Sequence, residues 1–239
     1  MLHSFDRLRK GEVHATDGSI GSMTDLYFDD SSWVVRYLII DTGKWLPGRR
    51  VLVSPLAMIR SRQTEEHLEL DLTMDQVRHS PDIDTDRPVS RQAELDLFNY
   101  YGWVPYWMLP VMAPAIPPNV LGSPEERERS AEAGHTGGDP HLQSGREAIG
   151  YTVQATDGDI GHIDDFLFDD ETNTIRYLVV ATGNWLTGKR VVIPPERVSD
   201  LKWADSTVKV RLTRADIRNR PEYDASAGLE PAGGPGRSV

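Results

Sequence analysis

The chain writes one pattern twice. TDGSIGSMTDLYFDD, from Thr16 to Asp30, returns as TDGDIGHIDDFLFDD, from Thr156 to Asp170, at a shift of 140 residues. The register then holds without a gap: RYLIIDTGKWLPGRRVLVSP (Arg36 to Pro55) aligns with RYLVVATGNWLTGKRVVIPP (Arg176 to Pro195), and LELDLTMDQVRHSPDID with VKVRLTRADIRNRPEYD. Between Ala15 and Asp84, 26 of 70 positions are identical in the second copy, which marks duplication of a whole unit. Two such copies are too few and too long for a solenoid, so they predict two small tandem domains.

Each copy carries the marks of β-structure. Asp17-Gly18 and Asp157-Gly158 read as two-residue hairpin turns of type I′. VVRYLII and TIRYLVV are rich in β-branched and aromatic residues. VLVSP and VVIPP are apolar runs that stop at proline, which cannot donate to a ladder. HLELDL and TVKVRL alternate with period two, so one face is buried and the other wet. Thr73 and Thr213 open a short helical turn that closes before Pro81 or Pro221. Five or six short strands per copy predict a small barrel that buries its own edges, an all-β fold. A domain of this size buries only about 60% of its unfolded-chain surface, so each copy needs support from the other or from the segment between them.

Composition excludes several classes. The net charge is -11, which argues against a phosphate-binding surface and hence against nucleic acid. With no cysteine, disulfides, thiolate metal sites and cysteine nucleophiles are ruled out. MLHSFDRLRK has no apolar leader core, so the expected location is the cytoplasm. No G-x-S-x-G, H-E-x-x-H, P-loop or G-x-G-x-x-G is present, and the expectation is a protein that is not an enzyme and holds no cofactor.

With these residues assembled, the chain resembles the PRC-barrel family, named for the cytoplasmic domain of the photosynthetic reaction-centre H subunit and found also in ribosome-maturation factors of the RimM type. The matching pattern is a Gly-rich turn, I-G-x-(I/M)-x-D, a D-D turn, R-Y-L-(I/V)-(I/V) and V-(L/V)-(V/I)-(S/P)-P, from Ala15 to about Asp84 and again from Ala155 to about Asp224. Two copies, each with T-G-(K/N)-W-L-(P/T)-G-(R/K)-R, look like the stand-alone bacterial type. The resemblance implies an adaptor that grips a protein partner, or a lining for a proton path beside a quinone protein. The sequence shows no stretch that reads as the membrane anchor of the first relative or the additional domain of the second, so neither specific role is expected to carry over.

The expected organisation is a first PRC-type barrel over 1–84, a connector over 85–149, a second barrel over 150–225 and a disordered tail over 226–239. Within the connector, SRQAELDLFNYYG predicts a helix from about Ser90 to Tyr101, with Glu94 and Asp96 early in it to suit the helix dipole. GWVPYWMLPVMAPAIPPNVLG (102–122) carries no charge, and Pro105, Pro110, Pro114, Pro117 and Pro118 forbid a membrane-spanning helix. It reads as an internal strap or dimer contact, a docking segment for another protein, or a membrane-surface contact through Trp103, Tyr106 and Trp107. The polar residues 123–148 read as disordered.

The aspartates of the repeated stretch do not make an EF-hand: counted from Asp157, position 5 is Gly161, position 6 is His162 and position 12 is Phe168. Asp17/Asp157 and the pairs Asp29-Asp30 and Asp169-Asp170 sit where turns ask for them. Asp25 and Asp165 fall within strands, and read as rim acids bonded to backbone or to an arginine such as Arg36 or Arg50. His135 and His141 flank Asp139 without a period that would converge ligands, so no metal is expected. The candidates for partner binding are Trp45, Arg50, Trp185 and Arg190 in the two Gly-bounded loops, with Tyr100, Tyr101, Trp103, Tyr106 and Trp107 in the connector. The alternative for each loop is that its tryptophan plugs its own barrel while the arginine pairs Asp25 or Asp165. The functional expectation is a non-catalytic scaffold that binds protein, with a homo-oligomer as a further option; the alternative is a small-ligand or cation-binding module using acidic rims.

Overall fold

The computed structural model describes residues 1–60, 67–81, 89, 91–103, 141–183, 186 and 188–224. The first repeat gives β1 (Leu2–Ser4), α1 (Phe5–Lys10), β2 (Glu12–Ala15), β3 (Gly18–Asp29), β4 (Val35–Asp41), β5 (Arg50–Val53), β6 (His67–Glu69) and α2 (Met74–Arg78), followed by α3 (Arg91–Tyr101). The second gives β7 (Leu142–Ser144), α4 (Gly145–Ala148), β8 (Thr152–Ala155), β9 (Gly158–Asp169), β10 (Thr174–Thr182), β11 (Arg190–Ile193), β12 (Val198–Lys202), β13 (Thr207–Val210) and α5 (Arg214–Arg218). The protein is mostly β, with few helices.

Two compact units form, and their boundaries differ from the 1–84 and 150–225 read from the repeat. One comprises Met1–Arg7 and Gly145–Val239; the other is Leu8–Ser144. The reason lies in the long strands. In one sheet the order is β5-β4-β3-β2-β6, in the other β11-β10-β9-β8-β13-β12. Strand β4 runs along β3 from Ser22 to Phe28, whereas β2 covers the opposite edge only from Gly18 to Ser22. The uncovered remainder of that edge is taken by β7, with Tyr27 opposite Ser144 and Asp29 opposite Leu142. In the other unit β1 does the same for β9, with Leu167 opposite Ser4 and Asp169 opposite Leu2. Each repeat thus surrenders its first strand to the sheet of the other. A bare strand edge left by omission of either would present unpaired backbone groups.

The exchange overturns one reading of the connector. Residues 142–148, assigned above to a disordered stretch, form β7 and α4. Their polar composition hides the fact that LQS at Leu142–Ser144 repeats LHS at Leu2–Ser4, so the 140-residue register reaches further upstream than Ala15. Residues 104–140 and 225–239 lie outside the described residues, and with them the apolar strap and the tail.

The expectation of closed barrels is not met. Among the described residues the hydrogen-bonded paths end at β5 and β6 in one sheet and at β11 and β12 in the other. Strand β5 stops two residues before Pro55 and β11 directly before Pro194, whose nitrogens cannot extend a ladder. The sheets nevertheless wrap an apolar interior: Ile20, Met23, Leu26, Phe28, Leu38 and Ile40 are at most 1% exposed. Burial of each such side chain is worth about 1.5–3 kcal/mol. Bulges between Met23 and Asp25, and between Ile163 and Asp165, supply the bend.

The turns correct a second detail. Ala15 pairs with Gly18, so Thr16 and Asp17 make the hairpin turn, and Asp17 does not adopt positive φ. Its carboxylate instead accepts the Met74 backbone N–H at 2.7 Å, as Asp157 accepts that of Arg214 at 2.8 Å. Each Asp therefore ties a hairpin to the first turn of α2 or α5, helices already capped by Thr73 and Thr213 with reciprocal side-chain bonds from Gln76 and Asp216.

Gly21 and Gly161 permit the closest approach in each unit. A Cβ at Gly21 would lie 1.9 Å from the Asp41 carbonyl oxygen, and one at Gly161 2.0 Å from that of Ala181, with φ of +138° and +148°. Gly21→Ala and Gly161→Ala should each cost on the order of 3 kcal/mol, combining overpacking with backbone strain. Urea midpoints of the two variants check this; a Gly43→Ala control, where nothing lies within 4 Å, should lose markedly less.

Candidate functional site

The rim acids are latches for the exchanged strands. Asp165 accepts the Ser4 hydroxyl at 2.5 Å on Oδ2, and the backbone N–H groups of Asp6 and Phe166 at 2.9 and 2.8 Å on Oδ1. Asp25 accepts the Ser144 hydroxyl at 2.5 Å and the Leu26 N–H at 2.8 Å. Two of the arginines suggested as their partners pair with other carboxylates. Arg36 bonds Asp29, and Arg190 Nε lies 2.9 Å from Asp164. The cause is the bulge: Asp164 is the extra residue of the ladder, so the two neighbouring carboxylates point apart, one to solvent-side Arg190 and one, 7% exposed, to Ser4. Burial raises the Asp165 pKa, and the hydrogen bonds from Ser4, Asp6 and Phe166 only partly oppose that. Asp29 behaves as turn chemistry predicts, accepting from Ser31 N–H at 3.1 Å and Ser32 N–H at 2.8 Å.

The Gly-bounded loop is held by a threonine and a basic residue that both copies share. Thr42 Oγ1 lies 2.8 Å from the Arg49 carbonyl, and Thr182 Oγ1 donates to that of Lys189 at 2.6 Å. Arg49 donates to the carbonyls of Arg78 and Ser80, and Lys189 Nζ to that of Arg220 at 2.5 Å. The (R/K) preceding Arg50 and Arg190 thus clamps the chain leaving each short helix, where the dipole favours a cation. Its exchange of Arg for Lys between copies was the available signal, since both charges suit carbonyl oxygens.

Around this clamp the unit of Leu8–Ser144 gathers an aromatic and basic corner. The Arg78 guanidinium lies 5.5 Å from the centroid of the half-buried Trp45 ring. Tyr100 is 40% exposed and donates its hydroxyl to the Gln76 carbonyl at 2.9 Å. Tyr101 stacks on Trp103 at 4.3 Å between centroids, and Trp103 meets Phe98 edge-on at 6.2 Å. Burial pushes the Tyr101 phenol up to about 12. Helix α3 supports these rings by packing Leu97 and Phe98 against Tyr37, Ile39, Leu52 and Leu142, and its buried Glu94 accepts the Tyr37 hydroxyl at 2.8 Å. Gly102, at φ +70°, ends the helix, and Trp103 N–H bonds back to the Phe98 carbonyl at 2.9 Å, a Schellman closure with its usual apolar contact.

Of the sequence-predicted partner residues, Trp45, Tyr100, Tyr101 and Trp103 come together here. Arg50 lies on β5 opposite Asp41, and Arg190 on β11 opposite Ala181. Trp185, Tyr106 and Trp107 lie outside the described residues. One group able to hold a metal occurs among the described residues, Glu12, His14 and His67. Sequence reasoning missed it because the second copy has Thr152, Gln154 and Thr207 there, and because His67 sits on a different strand. No helix among the described residues is long and apolar enough to cross a membrane.

Comparison with known families identifies a PRC-barrel domain at residues 142–217. The match begins at Leu142, the first residue of β7, so the contiguous family domain includes a strand that pairs in the other unit. No curated protein matches the chain. PRC-barrel domains are generally non-catalytic and mediate protein interactions.

Replacing Asp165 separates its two jobs. Asp165→Asn keeps an oxygen for both backbone donors and should be close to neutral, whereas Asp165→Ala strands them and should cost roughly 2–3 kcal/mol. The folded pKa lies above the unfolded 3.8, so the folded state binds this proton more tightly. Its contribution is therefore most favourable at or below the ordinary Asp value and is lost as pH rises through the folded one. Thermal melts across that window should show a shallower decline in Asp165→Asn than in the native chain.

Proposed function

We propose that the chain is a non-catalytic adaptor that grips a protein partner through the corner formed by Trp45, Arg78, Tyr100 and Trp103. The supporting observation is the pre-ordering of exposed aromatic surface. Tyr100 is among the few exposed large hydrophobic residues, and its ring is fixed by a hydrogen bond to α2 and by edge contact with Tyr101 at 4.9 Å. Tyr, Trp and Arg dominate protein-binding hot spots because they bring large contact area with little entropy to lose. The acidic-rim alternative has no comparable support. Asp25 and Asp165 turn their oxygens to serine hydroxyls and backbone donors, which leaves the carboxylates serving the fold.

The corner belongs to the first repeat together with α3; Trp185, the counterpart of Trp45, lies outside the described residues. Trp45→Ala/Tyr100→Ala should lower recovery of partner proteins from the native host at least about tenfold, as loss of two hot spots implies, with little change in melting temperature. Unchanged recovery with the double variant would remove this corner from the binding surface.

A further inference from the structure

The geometry points to a divalent transition-metal site of the zinc class on the outer face of β2 and β6, built from Glu12, His14 and His67 with Glu69 beside them. Strands β2 and β6 run parallel, with Glu12 opposite His67, Val13 opposite Leu68 and His14 opposite Glu69. Val13 and Leu68 are 0% and 2% exposed. Period-two alternation therefore sends the other four side chains outward together, two from each strand. Glu12 and His67 are exposed and His14 and Glu69 half-buried. The ligand atoms of Glu12, His14 and His67 all lie within 4.8 Å of one another, with His14 Nε2 3.2 Å from Glu12 Oε2. The two imidazoles meet edge-on, 5.5 Å between centroids.

Zinc bonds of about 2.0–2.1 Å in tetrahedral geometry place neighbouring donors about 3.3 Å apart. The His14–Glu12 pair already has that separation, and exposed His67 is the side chain that has the remaining distance to close. Imidazole and carboxylate donors with no thiolate suit Zn²⁺, Ni²⁺ or Cu²⁺, whereas Mg²⁺ and Ca²⁺ prefer all-oxygen shells. Two carboxylates beside the imidazoles supply the negative potential a dication requires.

The duplication provides the control. Strands β8 and β13 pair in the same parallel register, Thr152 opposite Thr207 and Gln154 opposite Lys209. Those four residues occupy the positions of Glu12, His67, His14 and Glu69, and the architecture forms equally well with none of the donors. The fold therefore does not require the His/Glu array. Strand β6 is three residues long, so a bound ion would also clip that short strand to β2.

Calorimetric titration of the full chain with ZnCl₂ tests the site, using His14→Gln/His67→Thr, which imports the residues of the other repeat. The native chain should take up Zn²⁺ saturably and melt at a higher temperature with it; MgCl₂ and CaCl₂ should shift nothing. The double variant should bind at least about a hundredfold more weakly, removal of two ligands being worth about a tenfold loss or more apiece. A His141→Gln control should bind as the native chain does. Equal affinity in the native chain and the double variant, or no saturable uptake by the native chain, would overturn the assignment. Independently of any variant, traces of Cu²⁺ should broaden the ring resonances of His14 and His67 before those of the other histidines; first broadening elsewhere would equally overturn it.

Discussion

The rest of the architecture depends on how one half of a strand edge is closed. β3 and β9 are twelve residues long, and each is flanked on one side by a hairpin partner that runs most of its length. On the other side the preceding strand covers only the first few residues. A three-residue segment must complete the ladder, and in both units it comes from the flank of the other repeat. The backbone bonds are extended by Asp30 N–H to the His141 carbonyl at 3.0 Å and Asp170 N–H to that of Met1 at 3.1 Å. The serine–aspartate latches then fix the register, and buried His3 adds a contact to Asp170 at 3.0 Å. The sheet of Met1–Arg7 and Gly145–Val239 draws its extra strand from the far end of the chain, and that of Leu8–Ser144 draws its own from the segment just before the second repeat. This meets the need for mutual support that two such small domains have.

Much of the fold was legible because duplication filters residues by role. Positions kept in both copies proved to be those that serve the backbone, with Gly21/Gly161 at the close crossing, Asp17/Asp157 at a helix start and Thr42/Thr182 inside the loop. What the repeat could not reveal was which copy of a strand pairs with which sheet. LHS and LQS share one pattern, which leaves the choice of sheet open when the sequence alone is read. Closure failed as an expectation for a different reason: counting strands says nothing about whether the terminal ones meet.

The candidate sites divide on that logic. The proposed metal array lies where the copies disagree, whereas the aromatic corner uses Trp45 and Arg78, which recur as Trp185 and Arg218. Glu12, His14 and His67 correspond to Thr152, Gln154 and Thr207; helix α3 and its aromatic end have no repeat partner. Searching for shared residues therefore found the scaffold and passed over the metal-binding array. It also chose Arg50 over Arg49, although the first of the two basic residues carries the clamp. Asp25 and Asp165 take backbone N–H donors, one of the two options the sequence left open, and serine hydroxyls that it did not suggest, because a bulge shifts which of two adjacent residues points inward and no sequence period records it.

Strand exchange is the central claim, and the mass of the isolated first repeat tests it most directly. A fragment of residues 1–140 carries β1 but not β7, so its β3 edge is open while its own first strand is available to a neighbour. Light scattering after size exclusion should give twice the fragment mass, each copy lending β1 to the other, with addition of the 141–239 fragment replacing that dimer by a one-to-one complex. A folded monomer of 1–140, its β1 turned back on its own β3, would contradict the account.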